Sequence, residues 1–353
     1  MRYWLKTSDL NQVLSLWQKK ADLYTPQSED GQVMLAPYDA DGFTMDYVNF
    51  AFPIKEVVFR QKETLFQWKK EGSQIKVTDP LAAAEAAGKK DREERILFGV
   101  RACEADGLDY TDTFFQCDFM DEFYARERRN LTIVAVNCAK AGPDCFCASM
   151  KTGPFATHGY DLLLTPMGDR YLAEIGTERG ETLIHQAEGF FQAAEDAEQD
   201  RILADKKRVE EESLATFTTK VNTDDIVGVL NAHFDHPIWK EKAQDCITCT
   251  GCTIVCPTCT CFHVVEELSG EESGNRVRYW DSCQSDAFTR NAGENNPRNP
   301  VSRVRYRVYD KFKYIEEKFG KKGCNGCGRC IGACPACIDI VKIVNQLAEE
   351  ERK

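Results

Sequence analysis

Between residues 50 and 175 short apolar runs alternate with polar stretches: EVVFR (56–60), RILFGV (95–100), LTIVAV (131–136), YDLLLT (160–165) and YLAEI (171–175). Runs this short, rich in Val, Ile and Leu, read as buried strands, which predicts an α/β or α+β domain. From 181 to 213 the spacing changes. Leu183, Ile184, Ala187, Phe190, Phe191 and Ala194 recur at helical intervals with no proline, predicting one long helix that carries the chain out of the first domain. Beyond it, TDDIVGVLNAHFD opens a helix with Thr223 or Asp224 as N-cap. RVYDKFKYIEEKFG (307–320) is helical, NAGENNPRNP (291–300) is a turn-rich loop, and IDIVKIVNQLAEEERK closes the chain as an amphipathic helix. The expected division is a first domain over 1–215 and a second over 216–353.

At 353 residues and 42% hydrophobic, the chain has material for a core in each part. A net charge of −12 gives little support to a nucleic-acid or anionic-membrane role. The basic stretches RVRYW (276–280) and Arg303, Arg305, Arg307 read as a solvated strand face, or else as charge balancing a nearby metal centre. No basic leader with an apolar run opens the chain, and no stretch approaches the roughly 18 apolar residues of a membrane span. The expected place is the cytoplasm, where thiols stay reduced.

Cysteine usage changes the picture: there are 17, gathered at short spacings rather than scattered as a disulfide framework. Cys246, Cys249, Cys252 and Cys256 before Pro257 form C-x2-C-x2-C-x3-C-P, and Cys324, Cys327, Cys330 and Cys334 before Pro335 repeat it. This is the bacterial run for cubane [4Fe–4S] clusters. Three thiolates on a tight loop reach three corners of one cube, and the fourth, turned away at the proline, reaches the other cube. Cluster one is therefore assigned to Cys246, Cys249, Cys252 and Cys334, and cluster two to Cys324, Cys327, Cys330 and Cys256. Gly251, Gly326, Gly328 and Gly332 let the backbone approach the cubes, while Ile254, Val255, Ile331 and Ile338 exclude water. A zinc-binding scaffold is the bland alternative, but zinc motifs set two C-x2-C pairs apart, and these runs over-supply a tetrahedral ion.

The 67 residues between Cys256 and Cys324 exceed the short connection of a compact ferredoxin, so the second domain is expected to be a helical two-cluster ferredoxin domain. In the first domain, Cys103 and Cys138 follow predicted strands and Cys145 and Cys147 form C-x-C. Ligands of α/β sheets gather beyond the carboxyl ends of strands, so these four thiols are expected to hold a third [4Fe–4S] cluster, making twelve irons; the alternative is that they are simply buried apolar residues. Cys117 reads as core. Cys259, Cys261, Cys283 and Cys337 remain over, with buried packing, a further metal or a substrate site all open. The five histidines are dispersed, and no nucleophile–base motif, paired carboxylates, dinucleotide fingerprint or P-loop is found.

The segments GVRACEADGLDYTDTFF, FYARERRNLTIVAVNC, CFCASMKTGP, GYDLLLT, CITCTGCTIVCPTCTCF, YWDSCQSDAF and GCNGCGRCIGACP together resemble the iron–sulfur beta subunit of cytoplasmic multi-subunit [NiFe] hydrogenases of the sulfhydrogenase type, and its relative in anaerobic sulfite reductase. The likeness runs from about residue 35 to 345. It implies a subunit that is not an enzyme alone, relaying electrons between a flavoprotein subunit handling NAD(P)H or another carrier and a catalytic subunit, with neither flavin nor nickel on this chain. An electron-transfer role in anaerobic sulfite reductase or another multi-subunit reductase is the alternative. RACEADG, where a proline often precedes the Cys, and Cys117 depart from the family pattern without touching a proposed ligand.

Overall fold

The computed structural model describes residues 1–80, 82, 94–292 and 299–352; most of the expected loop at 291–300 lies outside them. The strands in chain order are β1 (Arg2–Lys6), β2 (Asp22–Glu29), β3 (Gln32–Pro37), β4 (Lys62–Glu71), β5 (Gln74–Thr78) and β6 (Arg95–Val100). They continue with β7 (Leu131–Val136), β8 (Leu162–Pro166), β9 (Arg170–Ile175), β10 (Phe191–Ala193), β11 (Phe262–Gly270) and β12 (Ser273–Trp280).

Eight of them form a mixed sheet in the order β10-β1-β9-β8-β7-β6-β2-β3, in which β2, β6, β7 and β8 run parallel and the flanks antiparallel. Every residue of β6 and β7 is buried, as expected of central strands covered on both faces. Alternation sends Ile96, Phe98, Val134 and Val136 to one face, against Leu14 and Trp17. Leu97, Leu131 and Ile133 meet Phe115 and Tyr124 on the other. The N-terminal part is thus α/β, and the C-terminal part is helical around Leu230, Trp239, Tyr309, Phe312, Val344 and Leu347. No helix among the described residues is long and apolar enough to cross a membrane.

Several local expectations are corrected. EVVFR is no strand: Ile54–Val57 is a 3-10 turn, closed by Phe59 N–H on Lys55 O at 2.7 Å and held by Ile54 N–H on Glu104 Oε2 at 2.9 Å. Val58 and Phe59 are buried by packing rather than by strand pairing. The long helix is two, Glu178–Gln186 and Gln199–Leu214, because Phe191–Ala193 pairs with β1 instead. Neither Thr223 nor Asp224 caps with its side chain; Asp225 precedes the helix Ile226–Ala232 in a left-handed conformation. Residues 307–319 are helical, with a π turn at Asp310–Tyr314 joining Pro300–Tyr309 to Ile315–Phe319.

The second sheet, β11-β12-β4-β5, takes two strands from each side of residue 215. Its β12 carries Arg278, buried and ion-paired to both Glu63 and Asp121, so this part of the basic stretch is no solvated face. Arg303, Arg305 and Arg307 stand on a helix, not a strand.

Candidate metal centre

The two cysteine runs fold alike. In the second, Gly326 and Gly328 flank Cys327 with φ of 64° and 76°; at the matching places in the first, Thr248 and Thr250 flank Cys249 with φ of 55° and 62°. A left-handed pair around the middle cysteine curls the loop and turns successive backbone N–H groups to its inner side, where sulfur acceptors would sit. A short helical turn follows each, Gly251–Ile254 and Arg329–Gly332. The choice of residue follows from surroundings. A Cβ on Gly326 would stand 2.5 Å from Cys147 N, and one on Gly328 2.4 Å from Asp144 O, so only glycine fits the buried run. Threonine accepts the backbone strain in the outer run, where Cys249 is exposed.

Cys246, Cys249, Cys252 and Cys334 line one cavity, walled by Val308, Pro335, Ile338 and Ile343. Thus Cys334, though from the second run, faces the first, as the proline turn requires. Ile247 between Cys246 and Cys249 is 65% exposed, which puts this cavity at the surface. Cys324, Cys327 and Cys330 lie within electrostatic reach of one another and of Cys256. Burial pushes the thiols of Cys252 up to about 11 and Cys327 up to about 12. Ligation by metal must remove these protons, which nearby cations ease.

The strand-end group also comes together. Cys103 opens the helix Ala102–Gln116 after β6, Cys138 lies just past β7, and Cys147 opens the short helix Cys147–Met150. Cys103, Cys145 and Cys147 pack with Phe217 and with Cys327 of the second run, and Cys138 is in reach of Cys145 and Cys147. Both cysteines of C-F-C face this group, while Phe146 between them enters the core of the C-terminal helices. Its N–H donates to Gly326 O at 2.8 Å, tying the two loops.

Asn49 was not legible as a site residue, since nothing near it in the chain marks it. Its Nδ2 donates to Cys145 Sγ at 3.7 Å and to Cys327 O at 2.8 Å, and Cys103 Sγ–H donates to its Oδ1 at 3.6 Å. Of the cations at the site, Arg307 belongs to the basic stretch for which charge balancing at a metal centre was one reading, whereas nothing in the sequence marked Arg101, Lys311 or Lys55. Arg101, two residues before Cys103, is buried; it donates to Tyr47 O at 2.6 Å, and its Nε has no partner among the described residues. Arg307, also buried with an unpartnered Nε, donates to Cys330 and lies in reach of Cys252. Lys311, 4% exposed, donates to Thr258 O at 3.0 Å beside Cys256. Burial pushes Lys55, on Cys259 O at 2.6 Å, down from its usual value; burial opposes the charge of Lys311 too, but there Cys256 and Cys259 prevail and hold it well above.

Buried charge needs a partner, and Asp310 lies 3.8 Å from Lys311. An anionic group held by the thiols would supply further counter-charge, and a thiolate-ligated iron–sulfur cluster is such a group. Among the described residues no three His, Cys, Asp or Glu side chains close on one ion-sized point. The thiolates of a cubane bind separate irons and stand wider apart than those of a single ion.

Two spare thiols are placed unexpectedly. Cys117, read as core, is exposed at the end of its helix, where the chain turns outward, and Cys337 is exposed beyond Cys334. Cys259, Cys261 and Cys283 line a separate pocket.

The family model for a 4Fe-4S dicluster domain matches residues 245–338, which spans both runs. Sulfhydrogenase 2 subunit beta of Pyrococcus furiosus is 31% identical over 313 residues, covering 88% of this chain and 86% of the relative. No solved structure matches the chain. Both runs, both parts of the fold and nearly the whole length thus agree, and the chain belongs to the family of iron–sulfur beta subunits of sulfhydrogenases.

Proposed function

We propose that this chain is an electron-transfer subunit of a [NiFe]-hydrogenase-type complex, relaying single electrons between a flavoprotein subunit and a catalytic subunit. Cys246, Cys249, Cys252 and Cys334 hold one [4Fe–4S] cluster; Cys324, Cys327, Cys330 and Cys256 hold a second; Cys103, Cys138, Cys145 and Cys147 hold a third. Bound there, the clusters supply one-electron redox chemistry. The carrying observation is contiguity. The strand-end thiols pack on Cys327, and Arg307 reaches both Cys330 and Cys252, so the three groups form an unbroken line through the protein.

The chain's own residues then do two things. Asn49, Arg101, Arg307 and Lys311 surround the line with hydrogen-bond donors and positive charge, which favours the more negative, reduced state. Exposed Cys249 and Ile247 mark the end at which electrons cross to a partner. In this reading residues 216–353 are the two-cluster module and residues 1–215 carry the third site, the whole working in the cytoplasm. The test is anaerobic affinity purification of the native complex with metal analysis. Nickel in a large co-purifying subunit, with twelve irons on this chain, is expected. Iron and sulfide without nickel would move the relay to another reductase, and eight irons on this chain would remove the third cluster.

A further inference from the structure

A pocket of ≈360 Å³ opens beside the second run, lined by Cys259, Cys261 and Cys283 with Arg307, Lys311 and Tyr110. None of these three thiols belongs to the twelve proposed ligands. Cys261 immediately precedes β11, and its C=O accepts Asp281 N–H at 2.9 Å just after β12, so the hairpin ends bring Cys261 and Cys283 together. Their side chains are in hydrogen-bond contact. Gln284 Nε2 donates to Cys283 Sγ at 3.3 Å and is itself anchored on Arg303 O at 2.9 Å, which fixes the second sulfur.

From this placement we infer that Cys261 and Cys283 are a dithiol–disulfide couple, a two-electron redox site separate from the one-electron line. The two thiols are unlike. The hydrogen bond from Cys283 brings Cys261 down to about 7 against burial and the charge of Asp310, with Lys311 adding to the lowering, while Cys283 is held well above its ordinary value by the same contact and by burial. Near neutral pH this gives one attacking thiolate and one resolving thiol, the asymmetry that thiol–disulfide exchange uses. On reduction the Cys261 Sγ–Cys283 Sγ bond breaks and takes up two electrons and two protons. A small dithiol entering the pocket supplies both and leaves as its own disulfide. Cys259, on the same pocket, is in hydrogen-bond contact with Cys256, so the couple lies beside the second group of thiols.

The test equilibrates the anaerobic holoprotein with mixtures of reduced and oxidised dithiothreitol, traps free thiols with N-ethylmaleimide and maps the peptides by mass spectrometry. A Cys261–Cys283 cross-linked peptide is expected, rising from near absence to near completeness over roughly a hundredfold change in the ratio of oxidised to reduced reagent, as a two-electron couple requires. Both cysteines carrying the alkyl label at every ratio, or a bridge to other cysteines only, overturns the inference. Cys283→Ser is expected to lose the cross-link and keep its full iron and sulfide. Loss of iron in that variant would make the pair metal ligands and overturn it as well. If the variant does not fold, the wild-type titration alone decides. Iron content of the wild type reports separately on the cluster reading, so the two fail independently.

Discussion

Arg307 donates a hydrogen bond to Cys330 of the second cysteine run while its charge also reaches Cys252 of the first. One guanidinium, on the helix Pro300–Tyr309, thereby serves both runs from between them. Its Nε has no hydrogen-bond partner among the described residues, and its charge lies in reach of the thiols of Cys252 and Cys330.

Replacing Arg307 by Met keeps much of the bulk and removes the charge. Both C-terminal clusters are expected to become harder to reduce, with potentials lower by on the order of 50–100 mV from the loss of a buried positive charge. Arg307→Lys is expected to restore part of the shift. Redox titration followed by electron paramagnetic resonance reads it, and unchanged potentials in the Met variant would count against the role.

The crossed assignment has its own signature. Cys334→Ser is expected to damage the cluster of Cys246, Cys249 and Cys252, and Cys256→Ser the cluster of Cys324, Cys327 and Cys330. Spectra of the two variants, each losing a different signal, check this. Loss of the opposite signals would mean that each run closes on itself.

The matching left-handed positions are expected to respond in opposite ways. Thr248→Gly removes strain at φ 55° and should stabilise the apoprotein by up to ~1 kcal/mol. Gly326→Ala drives a methyl into the Cys147 backbone and should cost at least ~2 kcal/mol, with fewer irons bound. Denaturant titration and iron analysis separate the two.

Burial, with Asp109 nearby, pushes the Asp106 carboxyl up to about 7, in the helix Ala102–Gln116 that carries Cys103. The folded state thus binds this proton more tightly than the unfolded chain, so the stability it confers is complete below about pH 4 and is lost as pH rises towards 7. Asp106→Asn is expected to be neutral near pH 4 and stabilising by roughly 2–4 kcal/mol above pH 7. Denaturation midpoints at pH 5 and pH 8 should differ accordingly between variant and parent.

Strands β6 and β7 were legible to the residue because central parallel strands are apolar on both faces and leave an unbroken run. EVVFR is a similar short apolar run but pairs with no strand among the described residues, and Val58 and Phe59 are buried beside a turn instead. The helix expected at 181–213 failed for the converse reason, since the pairing of Phe191 with Leu5 is a contact between distant residues that local periodicity does not contain.

By itself the sequence determined where the two cysteine runs of a 4Fe-4S dicluster domain lie, because the C-x2-C-x2-C-x3-C-P spacing is a local loop constraint repeated twice. It also placed Cys103 and Cys138 at strand ends, which chain direction and sheet order bring near one another. Only the tertiary structure decided what surrounds them: Asn49 bonding across three cysteines, Arg307 between the runs, Phe146 anchoring C-F-C in the helical core, and Cys261 meeting Cys283. These relationships join residues from dozens to hundreds of positions apart or depend on burial. Spacing along a chain sets what a loop can reach, whereas charge balance and contact are set by what folding brings alongside.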